Sequence, residues 1–179
     1  MIDRGCLASG LLYPRHSTHD AAGQRPPSAP TRMGARRTKC PMQSMMEIKV
    51  RGFHVNRAGH VSNARYLDFV EEAGWLYAER NHLFANIHHL GVDHATTNIT
   101  INYLHRARAG DLLRIETDVA RRGQRAISFQ HKIFNDCTGR LIADAQVTVV
   151  FLERTTGRVV PIDERITELW PELSELPAE

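Results

Sequence analysis

Residues 54–66, HVNRAGHVSNARY, gather two histidines, two asparagines, a serine and a glycine between a strand-like run and a helix-like run. Polar residues this dense at a junction make a cap, a turn or a site. A histidine is near neutral at pH 7, so His60 or His54 could accept a proton. A helix N-terminus offers unpaired N–H groups and the positive end of a dipole, which suit a developing negative charge. The 59–64 junction has that form. Gly59 permits a sharp turn, and Ser62 or Asn63 is a plausible N-cap. Read alone, the segment is first a plain helix cap behind a glycine turn, and each histidine is as much a turn residue as a catalytic one.

The elements that must position this segment follow from hydrophobic period. In MEIKVRGF (46–53), Ile48 and Val50 face inward and Glu47, Lys49 and Arg51 outward, a half-buried strand. From Ala64 the apolar residues Tyr66, Phe69, Val70, Ala73 and Tyr77 keep helical spacing, so one stripe faces a core. Leu67 and Trp75 fall off the stripe and need a second partner, either the loop expected over 84–97 or another subunit. Four alternating runs follow at 98–107, 112–120, 125–134 and 141–152, and Gly123 and Gly139 lie in short connections. They read as antiparallel hairpins, with a short helix after Pro161. A sheet with one apolar face needs a cover, and the one long helix supplies it, which gives an α+β fold.

Composition narrows the class. The chain has 179 residues, 42% hydrophobic and 24% charged, as in an ordinary globular protein. No apolar run is long enough for a membrane-spanning helix. Three widely spaced cysteines, Cys6, Cys40 and Cys137, argue against a disulfide framework or a structural zinc and suit a reducing cytoplasm. His88, His89 and His94 lack a recognisable ligand spacing, so no metal and no cofactor is assigned. Charge is uneven. Of 23 basic and 20 acidic residues, seven and two fall in 1–45, which leaves 16 and 18 beyond it. The pI of about 9.0 therefore comes from the extension, and nucleic-acid binding is not expected. Residues 1–45, rich in Pro, Arg, Ser and Gly, read as a disordered, dispensable extension, with Met42, Met45 or Met46 as alternative starts. Residues 46–179 read as the folded domain.

EIKVRGFHVNRAGHVSNARYLDFVEEAGW resembles the first strand, active loop and helix of the hot-dog-fold acyl-CoA thioesterases, of the 4-hydroxybenzoyl-CoA thioesterase type. It is closest to thioesterase III, which acts on long-chain acyl-CoA. NITINYLHRA and ADAQVTVVFL resemble that group's second and last strands, and the likeness covers nearly all of 46–160. It implies a sheet wrapped around one central helix, a homodimer or dimer of dimers with sites at the subunit interface, and hydrolysis of a medium- to long-chain acyl-CoA. No nucleic-acid or membrane partner is implied.

The resemblance raises the junction from cap to site. It gives Asn56, His60 and Asn63 as catalytic candidates, and His54, Gly59, Ser62, Tyr66, Arg106 and Arg125 as substrate contacts. Relatives carry Asp where this chain has Asn56. An amide cannot take a proton at neutral pH, although its oxygen could orient water. The base is then displaced to His60, or to His54 if the first strand persists to it. Glu71 and Glu72 lie off the apolar stripe and read as a solvated or intersubunit face. Arg106 and Arg108, and Arg121, Arg122 and Arg125, could meet CoA phosphates. Two other readings stay open: a non-hydrolytic acyl-thioester binder that has lost its carboxylate, and an acyl-carrier-protein thioesterase.

Overall fold

The computed structural model describes residues 43–176, so all but the last three residues of the extension expected over 1–45 lie outside the described residues. The first strand, β1 (Ser44–Lys49), begins two residues before the expected boundary and ends sooner than expected. Gly52–His54 is a single 3₁₀ turn, not a continued strand. The His54 ring closes it by accepting the Arg51 N–H at Nδ1, at 3.0 Å. His54 and Asn56 therefore do not share one strand face.

The long helix α1 (Asn63–Arg80) crosses the sheet. Its buried residues include Tyr66, Phe69, Val70, Ala73 and Tyr77, the stripe that the period marks. Each large apolar side chain withdrawn from water in this way stabilises the fold by about 1.5–3 kcal/mol. A short helix, α2 (Leu83–His89), and a strand, β2 (Val92–Tyr103), replace the expected loop over 84–97. The hairpin strands β3 (Leu112–Arg122), β4 (Ala126–Asn135) and β5 (Arg140–Glu153) lie within two residues of expectation. A two-residue strand, β6 (Val159–Val160), pairs with β5, and α3 (Glu164–Leu169) and α4 (Glu172–Glu175) follow it.

The sheet is antiparallel, in the order β1-β3-β4-β5-β2, and α1 packs on one face of it. Inward residues of the central strands are sealed: Leu113, Ile115, Ile133, Ala143 and Ala145 are all at 0% exposure. The buried residues form two clusters. One surrounds the N-terminal half of α1; the other joins Tyr77 and Ala78 to Ile127, Phe151 and the C-terminal Ile166, Trp170 and Leu173. Phe129 packs against both.

β2 differs from the rest. It pairs with β5 on one side and with no described strand on the other. Ile99 and Tyr103 stay 40% and 46% exposed, beside an equally open Leu67 and Trp75 on α1. Trp75 finds one of its expected partners in the 84–97 stretch, an edge contact with the His94 ring at 5.9 Å.

Candidate active site

The junction folds into a tight loop by backbone pairing. Val55 bridges Val61, the Asn56 N–H donates to the His60 carbonyl at 2.8 Å, and the Gly59 N–H donates to the Asn56 carbonyl at 2.9 Å. Gly59 sits at φ +76°, where an L side chain is strained, so its glycine is required by the turn. The Asn56 side chain completes the turn. Its Oδ1 accepts the N–H of Ala58 at 2.9 Å and of His60 at 3.3 Å. Two donors converge on that atom, so it must be the oxygen, and both of its lone pairs are engaged. The oxygen expected to orient water is engaged by the loop itself. What Asn56 turns outward is its NH₂, a donor.

The two loop histidines separate on the same inventory. His54 is half-buried, stacked edge-on against Phe53 and Phe69. Partial burial, and then the charges of Arg65 and Arg51, lower its pKa below the ordinary value. Because its Nδ1 accepts a backbone N–H, the neutral ring carries its proton on Nε2. It can donate there but has no lone pair free to act as a base. His60 is tied only through its backbone, to Asn56 and by a bridge to Arg108. Its imidazole makes no hydrogen bond or ion pair among the described residues. Of the two, His60 retains the freedom a general base needs.

Ser62 occupies the N-cap position of α1, but its hydroxyl makes no capping bond. The N–H groups of Asn63 and Ala64 open the helix and have no intrahelical acceptor. They are available to an oxyanion, three and four residues beyond His60. Tyr66 does not join them. It is 3% exposed and packed against Phe69 and Tyr103, and burial raises its phenol above the ordinary value. It belongs to the buried core.

Two concavities lie near the start of α1. A cavity of about 300 Å³ lies between α1 and the sheet, lined by Val70, Gly74, Phe129, Val147 and Val149 among others. It begins at Leu67, one helical turn beyond Asn63, and ends against Trp170. Glu71 lies at its open side with Trp75, so this carboxylate borders the cavity while remaining exposed. The second concavity is a groove that carries His105, Arg106, Arg108 and Arg140. It abuts the loop, because Val61 donates to the Ala107 carbonyl at 2.9 Å and His60 bridges Arg108.

The expected arginines divide. Arg106 stands in the groove. Arg125 precedes β4 at the far end of the sheet, where Ala126 pairs with Val150, whereas the groove lies where Asn135 pairs with Arg140. One chain therefore cannot bring Arg106 and Arg125 to one phosphate. Arg122 is committed to structure, donating to the carbonyls of Leu173 and Ile162.

One polar pair escaped notice as a candidate. His131 and Thr117 are buried, at 1% and 0% exposure, and face each other across β3 and β4 in direct register. Thr117 Oγ1 lies 2.9 Å from His131 Nδ1. Burial drives the His131 pKa down to about 4, so the ring is neutral at physiological pH. His131 lines the cavity beneath Gly74. The available signal was a titratable residue in an otherwise apolar inward set of β4.

Residues 50–169 match the family model described as the thioesterase-like superfamily. The long-chain acyl-CoA thioesterase FadM of Escherichia coli (strain K12) is 32% identical over 122 residues, covering 68% of this chain and 92% of the relative. The crystal structure of YbaW, a probable thioesterase from Escherichia coli, is 29% identical, covers 74% of this chain and 98% of its own, and superposes with a TM-score of 0.66. A mutant 4-hydroxybenzoyl-CoA thioesterase complexed with 4-hydroxybenzoyl-CoA is 18% identical, with a TM-score of 0.63 over 72% of this chain and 98% of its own, and shares the fold. With the antiparallel sheet and the packed central helix, these matches establish the hot-dog architecture, and the chain belongs to the thioesterase-like superfamily.

Proposed function

We propose that this protein hydrolyses long-chain acyl-CoA, with His60 as the general base. The observation that carries the reading is the placing of two unlike sites on either side of one helix N-terminus. An apolar cavity starts one turn beyond Asn63, and an arginine groove abuts the loop before it. A long-chain acyl-CoA has that division: an apolar tail, a thioester and a phosphate-bearing head. In the groove, Arg106, Arg108 and Arg140 offer charged forks to phosphate oxygens.

The chemistry needs little more. Water attacks the thioester carbonyl as His60 takes its proton. The oxyanion is met by the N–H groups of Asn63 and Ala64, at the positive end of the α1 dipole. The C–S bond then breaks. A thiol of ordinary pKa, about 8.5, leaves readily as thiolate and recovers the proton from His60. Fatty acid and CoA are the products. Asn56 holds the loop through its oxygen and presents its NH₂ beside His60.

Assembly supports the same reading. A twelve-residue edge strand with an unpaired side and exposed Ile99 and Tyr103 asks for a second strand. A second copy of this chain, pairing β2 to β2, would cover Leu67 and Trp75 and close the open side of the cavity. The reading is a homodimer, with a dimer of dimers as the next level.

Thiol release from a series of acyl-CoA chain lengths, with the matching acyl-carrier-protein thioesters alongside, tests the substrate. The expected result is a kcat/KM that climbs from short to long acyl-CoA and exceeds that for the carrier-protein esters. Tight binding of long-chain acyl-CoA without thiol release would identify a binder instead.

A further inference from the structure

The cavity is apolar except at two places. Glu71, His94 and Thr96 stand at its exposed edge. Inside, the polar groups are the buried side chains of His131 and Trp170. The tautomer of His131 follows from its partner. Thr117 is fully buried and its hydroxyl has His131 Nδ1 as its one side-chain partner among the described residues. If the ring donated from Nδ1, the hydroxyl hydrogen would be left buried without an acceptor, which is costly. The hydroxyl therefore donates to Nδ1, and the neutral ring carries its proton on Nε2. That N–H pairs with no group among the described residues. Trp170, whose indole N–H likewise meets no acceptor among the described residues, closes the same end of the cavity.

An ordered water answers this poorly, because such waters hold about three hydrogen bonds, whereas the cavity lining is mostly apolar, with Val70, Gly74, Phe129 and Val147 among it. An acceptor carried in on the ligand answers it directly. Resting on the thioesterase reading above, we infer that the cavity is built for an acyl chain bearing an oxygen, as a hydroxyl or a keto group, part-way along its length, with the His131 N–H as its donor. The position follows from the helix. His131 faces Gly74, three turns beyond Asn63, and three turns rise about 16 Å. From a thioester held at the helix N-terminus, that distance is spanned only by a long chain, and the oxygen falls far from the thioester carbon.

The full chain is assayed with three CoA thioesters of one long fatty acid: the plain acyl chain, its mid-chain hydroxy form and its form hydroxylated next to the thioester. Displacement of a bound fluorescent fatty acid by the three free acids is measured in parallel. The expected result is a mid-chain preference of about tenfold in both kcat/KM and displacement, the worth of one neutral buried hydrogen bond. His131→Leu abolishes the preference, and His131→Gln, which keeps an N–H donor, retains part of it. Thr117→Val, which preserves shape but releases the tautomer, weakens the preference and decides the matter if His131→Leu does not fold. Turnover of all three thioesters at one rate, with a ratio that neither His131→Leu nor Thr117→Val moves, overturns the inference and leaves the thioesterase reading standing. Selective displacement without thiol release does the reverse.

Discussion

Two polar sites among the described residues, the 54–62 loop and the Thr117–His131 pair, are opposite in kind. The 54–62 loop is largely exposed, and its polar groups satisfy one another: Asn56 accepts from the N–H groups of Ala58 and His60, and His54 accepts from that of Arg51. The Thr117–His131 pair is sealed among apolar side chains and keeps one N–H unmatched. Density of polar residues marked the first as a junction, but most of that density is spent on holding the turn. What is left over for chemistry is small: the His60 ring, the Asn56 NH₂ and two helix N–H groups. The second site offers a single donor with no competing partner. Unspent hydrogen-bonding capacity, rather than the number of polar residues, distinguishes a group that can act from one that shapes.

The largest effect expected from this contrast is at His60. His60→Gln removes the base while leaving the backbone pairing of the loop, and kcat should fall by about 10²–10⁴-fold. Stopped-time thiol release from a long-chain acyl-CoA reads it, with circular dichroism to show an unchanged fold. Next comes Asn56→Asp. A carboxylate can still accept both loop N–H groups through one oxygen, which leaves its other oxygen where the NH₂ now is. That adds a second base, and kcat should rise by about 10²-fold, the lower end of the range for a positioned base.

The buried site should respond to pH in stability rather than rate. His131 has its pKa depressed from 6.5 to about 4 in the folded chain. Between these values the unfolded chain binds the proton and the folded chain does not. Its contribution is therefore complete above pH 6.5 and declines as pH falls to about 4, a loss of roughly 3 kcal/mol. Urea denaturation at pH 7 and pH 4.5 should show it, and the difference should shrink in His131→Leu. The smallest effect is at Gly59. Gly59→Ala meets no steric neighbour but must hold φ +76°, so it should cost about 1 kcal/mol in the same denaturation assay.

The same contrast explains what the sequence made legible. The ends of β3, β4 and β5 came out within two residues because each strand alternates between a sealed face and a wet one. β2 was expected to start at residue 98 but starts at Val92, because VDHATT carries no alternation. An edge strand can afford polar residues on both faces when nothing described covers it. LFANIHH is a seven-residue helix, too short for its period to stand out from a loop. Within the site, the glycine turn and the helix start could be read from residue types. The direction of the Asn56 oxygen could not, since it depends on two N–H groups that converge only once the loop closes. The alternation of the 125–134 run puts His131 on the inward face of β4; its partner Thr117 requires the hairpin register about Gly123. The helical spacing of Tyr66 marks it for the core, where the structure buries it. Arg125 was grouped with Arg106 as a phosphate contact, and the strand order separates them.

The central claim is that a long-chain thioester is cleaved by water activated at His60. The most direct test is the pH dependence of kcat/KM for CoA release from one long-chain acyl-CoA, measured for the wild type and for His60→Gln. The account predicts a wild-type rate that falls on the acid side of its profile, and a residual rate in His60→Gln that lacks this acid limb. An unchanged acid limb in His60→Gln, at an undiminished rate, would contradict it.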